Sequence, residues 1–150
     1  RDRYLKEGLD SLKTLKSNSI DFVWSHSVLE HIRKATFSKV QKELIRILKP
    51  SGNISHNIDF QDHLDHSLNN LRFSERLWES DFFANAGFYT NRIPAKKMHN
   101  IFQEVGFIIK QESFGKWPTL PIRRKDMHNE FAIYSDSELI NRTSYVLLSK

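Results

Sequence analysis

Three observations predict an α/β domain. The run Ile20-Asp-Phe-Val-Trp24 is apolar at four of five positions, as expected of a strand covered on both faces. Phe37, Val40, Leu44, Ile47 and Leu48 then form the single apolar stripe of an amphipathic helix. Strand-like and helix-like segments go on alternating to the end of the chain, which is the pattern of a sheet layered with helices.

Taken in order, Tyr4-Leu5 is expected to end one strand, with Glu7 to Leu12 as the loop or short helix after it. Ser27 to Ile32 predicts a helical turn. A helix follows from about Thr36, its cap, to Leu48, and Pro50 with Gly52 stops it. Asn53 to Asp59 alternates loosely and predicts the next strand. Gln61 to Phe73 is polar and rich in histidine, and Ser74 to Phe83 starts another helix. Pro94 suits a first helical position, and Met98, Ile101, Phe102 and Val105 then share a face up to Gly106. Phe107 to Phe114 and Tyr145 to Leu148 are the last two strands, expected to pair antiparallel. Between them lie the Trp117–Pro121 turn, a basic segment and a capping box at Ser135-Asp-Ser-Glu138.

The 150 residues suit a single domain spanning positions 1–150. An apolar fraction of 39% with 12% aromatics is ordinary for a folded globular chain. No apolar run approaches the roughly 20 residues of a membrane-crossing helix, so no membrane partner and a cytoplasmic location are expected. The chain has no cysteine, which excludes disulfides and thiolate metal sites. A net charge of +5 invites a nucleic-acid reading. Lysine and arginine are dispersed among acids, however, and the densest run, Arg123-Arg124-Lys125, meets Asp126 at once. No nucleic-acid partner is expected.

Open α/β sheets bind ligands beyond the carboxyl ends of their strands. For the strand at Ile20–Trp24 that place is taken by Ser25, His26 and Ser27, small or polar residues that admit a ligand. The segment Asp21-x-Val23-x-Ser25, followed by Leu29-Glu30-His31, resembles the Rossmann-like class I methyltransferases that use S-adenosylmethionine, and in particular their type 11 group. Glu7-Gly8, Gly87 to Arg92 and Val105-Gly-Phe107 resemble other parts of that family.

The resemblance implies a partial methyltransferase sheet, mostly parallel with a C-terminal antiparallel strand pair and lacking the N-terminal strands. It places Ser25, His26 and Ser27 beside the methionine part of the cofactor, and Glu7 and Gly8 at its adenine edge. One departure is decisive for binding. The family's Gly-x-Gly-x-Gly turn needs residues without Cβ, and the five glycines here are scattered. Also absent is the acidic residue that would hold the ribose hydroxyls. The expectation is the C-terminal part of a methyltransferase, binding S-adenosylmethionine weakly or not at all and inactive alone.

Methyl transfer depends chiefly on positioning, and an oxygen acceptor also needs a base. His26 is the first candidate; His56 and His63 come next, with His66 beside them. Asp59, Asp62, Arg72, Tyr89 and Arg92 are expected to line the pocket of a small-molecule or sugar-like acceptor, the two arginines as clamps for an anionic group. Glu30, His31 and His56 could hold a metal, but a backbone-orienting role for Glu30 is preferred and no metal is expected. The aromatic run Trp78, Phe82, Phe83, Phe88 and Tyr89 reads as core, with a lid as the sharper alternative. Without the earlier strands, Ile20–Trp24 becomes an exposed edge, either covered by residues 1–16 or used for dimerisation. A non-catalytic module that binds a protein through that edge is the competing function.

Overall fold

The computed structural model describes residues 4–150. Arg1 to Arg3 lie outside the described residues, so the strand expected to end at Tyr4-Leu5 is described only at its last two positions, which are irregular and exposed. Helix α1 (Gly8–Lys13) leads into β1 (Ile20–His26), α2 (Lys34–Ile47) and β2 (Leu48–Asp59). After them come the short helices α3 (Glu75–Trp78) and α4 (Asp81–Ala84), then α5 (Ala95–Glu104) and β3 (Ile108–Lys116). Helix α6 (Asp136–Leu139) and β4 (Asn141–Ser149) finish the chain.

The four strands form one mixed sheet in the order β1-β2-β4-β3. β1 runs parallel to β2, whereas β4 is antiparallel to both β2 and β3. The antiparallel pairing of the last two strands is as expected. Because β4 inserts between β2 and β3, the parallel part of the sheet is confined to β1 and β2.

Helices α2 and α5 bury their stripes on one face of the sheet. Phe37, Leu44 and Ile47 of α2 and Met98 and Phe102 of α5 pack on Ile54, Ile58, Val146 and Leu148. Burial of such side chains, about 1.5–3 kcal/mol each, is the main force holding the layers together. A smaller cluster, Leu68, Leu71, Ile122, Phe131 and Leu139, forms under the two long insertions.

Local chemistry adjusts the expected boundaries. Helix α2 starts at Lys34, two residues early, and Thr36 donates its hydroxyl to the Arg33 carbonyl rather than capping. The helix from Ser74 is broken in two, because Ser80 adopts extended backbone at ψ 152° and starts a second turn. Ser135 and Glu138 form the expected capping box. Residues 1–16 do not cover β1, as far as they are described. Instead Arg46 of α2 binds the Leu12 and Leu15 carbonyls and holds the α1 segment on the helix layer.

β2 begins at Leu48, well before Asn53, and its register with β1 shifts between Ile20 and Phe22. Gly52 permits this close approach, since a Cβ there would sit 2.9 Å from the Asp21 carbonyl oxygen and 2.8 Å from Leu48 Cδ1. Gly52→Ala is therefore expected to cost about 1–3 kcal/mol through overpacking. Urea denaturation measures this, and a variant as stable as the parent would contradict the close approach.

Candidate functional site at the carboxyl end of the parallel strands

β1 and β2 end side by side, and the loops beyond them carry the polar residues. Alternation along β1 separates the expected ledge. Val23 and Ser25 face the helix layer, whereas Phe22, Trp24 and His26 are exposed on the other face. Ser25 pairs in register with His56, and its hydroxyl lies 2.7 Å from His56 Nδ1. Ser27 turns the chain with φ at 51°, and its N–H donates to the Asn57 carbonyl. A single 3-10 turn, Leu29–His31, follows and buries Glu30.

His56 is buried and stacks on Phe102. Burial pushes its pKa down to about 4, so the ring is neutral near pH 7. Ser25 and His56 line one wall of an open apolar groove of about 450 Å³. Gly8 also lines this groove, together with Leu9, Val28 and Leu44. Of the residues assigned to the cofactor, Gly8 and Ser25 thus share a cavity. Glu7 is exposed and His26 lies across the sheet.

The three histidines proposed as bases do not converge. His26 stacks near Trp24 on the open face, His56 is buried at the back of the groove, and His63 is exposed with its ring against His31. His56 is corrected to a core residue, because a ring that resists protonation until about pH 4 is a poor base near pH 7. Among the described residues, no three acidic or imidazole groups converge as metal ligands, so Glu30, His31 and His56 do not form a metal site.

The acceptor-side candidates divide in the same way. Asp62 is fully buried, and its carboxylate accepts backbone N–H bonds from Leu64, Asp65 and Asn70 at 2.8–3.3 Å. It organises its own loop, and the expected ligand contact is corrected accordingly. Asp62→Ala is expected to destabilise the chain by about 1–3 kcal/mol, as buried backbone N–H groups lose their acceptor. Thermal unfolding reads this, and an unchanged midpoint would overturn the assignment.

Arg92, also at positive φ, is a second internal anchor. Its side chain is buried against Trp78 and Phe131 and donates to the carbonyls of Asn70 and Phe73 and to Glu75. It is corrected from an anion clamp, since only its Nε remains unpartnered. Arg72 bonds Asn69 on the surface. Tyr89 is corrected from an acceptor contact to a core residue: it is buried on Trp78, its hydroxyl donates to Glu79 and its carbonyl faces His31 Nδ1. Asp59 is half-buried and accepts from the Gln61 N–H.

Two further residues matter here. Glu30 is 2% exposed, and neither carboxylate oxygen makes a well-formed hydrogen bond, the nearby donors being its own backbone N–H and that of Asp59. Burial raises its pKa to about 7. Asn70 is buried with Oδ1 unpartnered. Both line a narrow crevice of about 30 Å³ with Asp59, Asn91 and Arg92. Leu-Glu-His marked Glu30 in the sequence, but nothing local showed that its carboxyl would be isolated.

Residues 2–55 match the family described as a methyltransferase domain. The described residues form part of a Rossmann-like methyltransferase fold. No curated protein matches the chain. Among solved structures, a methyltransferase from Methanosarcina mazei aligns with a TM-score of 0.58 at 13% identity, over 91% of this chain and 62% of that one. A methyltransferase from Archaeoglobus fulgidus aligns with a TM-score of 0.57 at 12% identity, over 97% and 66%. The Haloferax volcanii complex of the Trm112 methyltransferase activator with a methyltransferase aligns at 0.50 and 14% identity, over 91% and 56%. The chain spans a little over half the length of this last methyltransferase structure. Its glycines lie apart, at the start of α1, within β2 and β3, and after α4 and α5. None of them ends a parallel strand.

Proposed function

We propose that this methyltransferase-fold chain contributes one flank of a site for methyl transfer from S-adenosylmethionine to a small-molecule or sugar-like acceptor. The observation that carries the reading is the Ser25–Ser27 turn. It closes a parallel strand inside the segment that matches the methyltransferase domain. When bound, the cofactor would supply an already activated methyl group. Ser25 and the backbone at Ser27 would flank its amino-acid end, with Gly8 along the same wall. A glycine-rich turn is not among the chain's residues, so the fit is to one side of the cofactor only. His26 and His63 remain the proposed bases, and Asp59 and Arg72 the proposed acceptor contacts.

Amide NMR during titration of this chain with S-adenosylhomocysteine tests the reading. Weak binding with shifts concentrated at residues 25–31 is expected. Unmoved signals there at millimolar ligand would overturn it.

A second reading is favoured by the free side of β1. The strand ends the sheet, and Phe22 and Trp24 are 57% and 67% exposed beside it. Exposed apolar edges recruit partner strands, so the chain would act as a binding module or a homodimer through β1. Sedimentation at low micromolar concentration would give a dimer in that case. A single monomeric species would remove the homodimer.

A further inference from the structure

Glu30 poses a problem that the proposed methyl transfer does not solve. A buried carboxyl with two unpartnered oxygens is costly unless it is neutral or meets a cation or hydrogen-bond donor. The nearby basic side chains already have partners. The Arg92 guanidinium is held by Asn70, Phe73 and Glu75, and His31 Nδ1 faces the Tyr89 carbonyl. Among the unpartnered buried atoms of the crevice, acceptors outnumber donors. Both Glu30 oxygens and the Asn70 Oδ1 atom stand against the Arg92 Nε–H, while Asp59 and Glu138 at the rim already accept from Gln61 and Ser135.

Size narrows the class of ligand. A cavity of about 30 Å³ has room for about two water-sized groups. The rim residues Asp59, Glu138 and Asn141 are half-buried, which leaves an approach from solvent. A divalent ion would ask for six or more oxygen ligands, and no three acidic or imidazole groups converge among the described residues. An anion would meet Glu30 and Asp59 with a single free N–H to receive it.

We propose that the crevice floored by Glu30 binds a small primary ammonium group, the amino end of an organic amine. Its three N–H donors match the Glu30 carboxylate and the Asn70 oxygen, with a water left to accept from Arg92 Nε. The proposal does not depend on methyl transfer, because it requires only the crevice.

The test uses the chain as it stands. Glu30 is followed by carbon NMR of its carboxyl, and stability by thermal unfolding, with methylammonium or tetramethylammonium chloride added at matched ionic strength. Methylammonium is expected to lower the pH at which Glu30 titrates and to raise the melting temperature saturably. Tetramethylammonium, which has no N–H and is too large, is expected to do neither. Glu30→Gln is expected to weaken the methylammonium effect about tenfold or more, since a charge-assisted pair is lost. Equal responses to the two salts, or no saturable response, would mean that the crevice holds water only and would overturn the proposal. The wild-type comparison decides the matter even if the variant folds poorly.

Discussion

Replacing Trp78 by alanine is expected to lower stability by about 3–5 kcal/mol, the range for removing a large buried aromatic side chain. Trp78 is fully buried and packs within 6.5 Å of Phe73, Phe83, Phe88 and Tyr89, by ring centroids. It also carries two polar duties. Its indole N–H donates to the Thr90 carbonyl at 2.7 Å, and the Arg92 guanidinium lies 5.2 Å from the ring. The alanine variant leaves a cavity, an unpaired carbonyl and a less supported buried cation together. Trp78→Phe keeps the stacking and loses the hydrogen bond, so about 1–2 kcal/mol is expected. Urea denaturation separates the two variants; equal losses would show that the ring is not what holds the insertion.

The second expected result is a pH profile that a single substitution uncovers. In the fold Glu30 holds its proton up to about pH 7, against an ordinary value of 4.5, because burial penalises its charge. Its own backbone N–H and His31 oppose that rise, whereas the Asp59 charge adds to it. Between the two values the unfolded carboxylate is ionised and the folded one is not. The stability linked to Glu30 is therefore full below about pH 4.5 and lost as pH rises through 7. His56 has the opposite sign. Its folded value is about 4 against an ordinary 6.5, so its contribution is full above 6.5 and lost as pH falls through 4.

The two windows overlap, and their slopes oppose. Wild-type stability is expected to vary little between about pH 4.5 and 6.5 on account of these groups. Glu30→Gln removes one side of the balance. The variant is then expected to lose about 2 kcal/mol on acidification across that range, following the buried imidazole. Denaturation series at several pH values check this. A Glu30→Gln profile parallel to that of the parent would show that the two burials are not coupled to folding in this way.

Local pattern went far with the elements and less far with the site. The strand at Ile20–Trp24 was legible as a short apolar run and the stripe on α2 by its period of 3.6. The expectation that the strand is covered on both faces is corrected, since Phe22 and Trp24 are exposed on one face. The capping box at Ser135 was legible because it closes within four residues. Asp62 and Arg92 were misread for a common reason. A buried charged group looks the same in sequence whether its partners are backbone groups of its own loop or a ligand. The pairing of Ser25 with His56 spans 31 positions and depends on strand register.

The amino-acid order alone determined an α/β chain with a serine-rich turn after its first strand, because side-chain periodicity and turn chemistry are local properties. Only the tertiary structure decided that β4 enters between β2 and β3, that His26 and His56 face opposite ways, and that Glu30 has no partner. Those outcomes depend on which distant segments exclude water from one another, and no short stretch of sequence contains that.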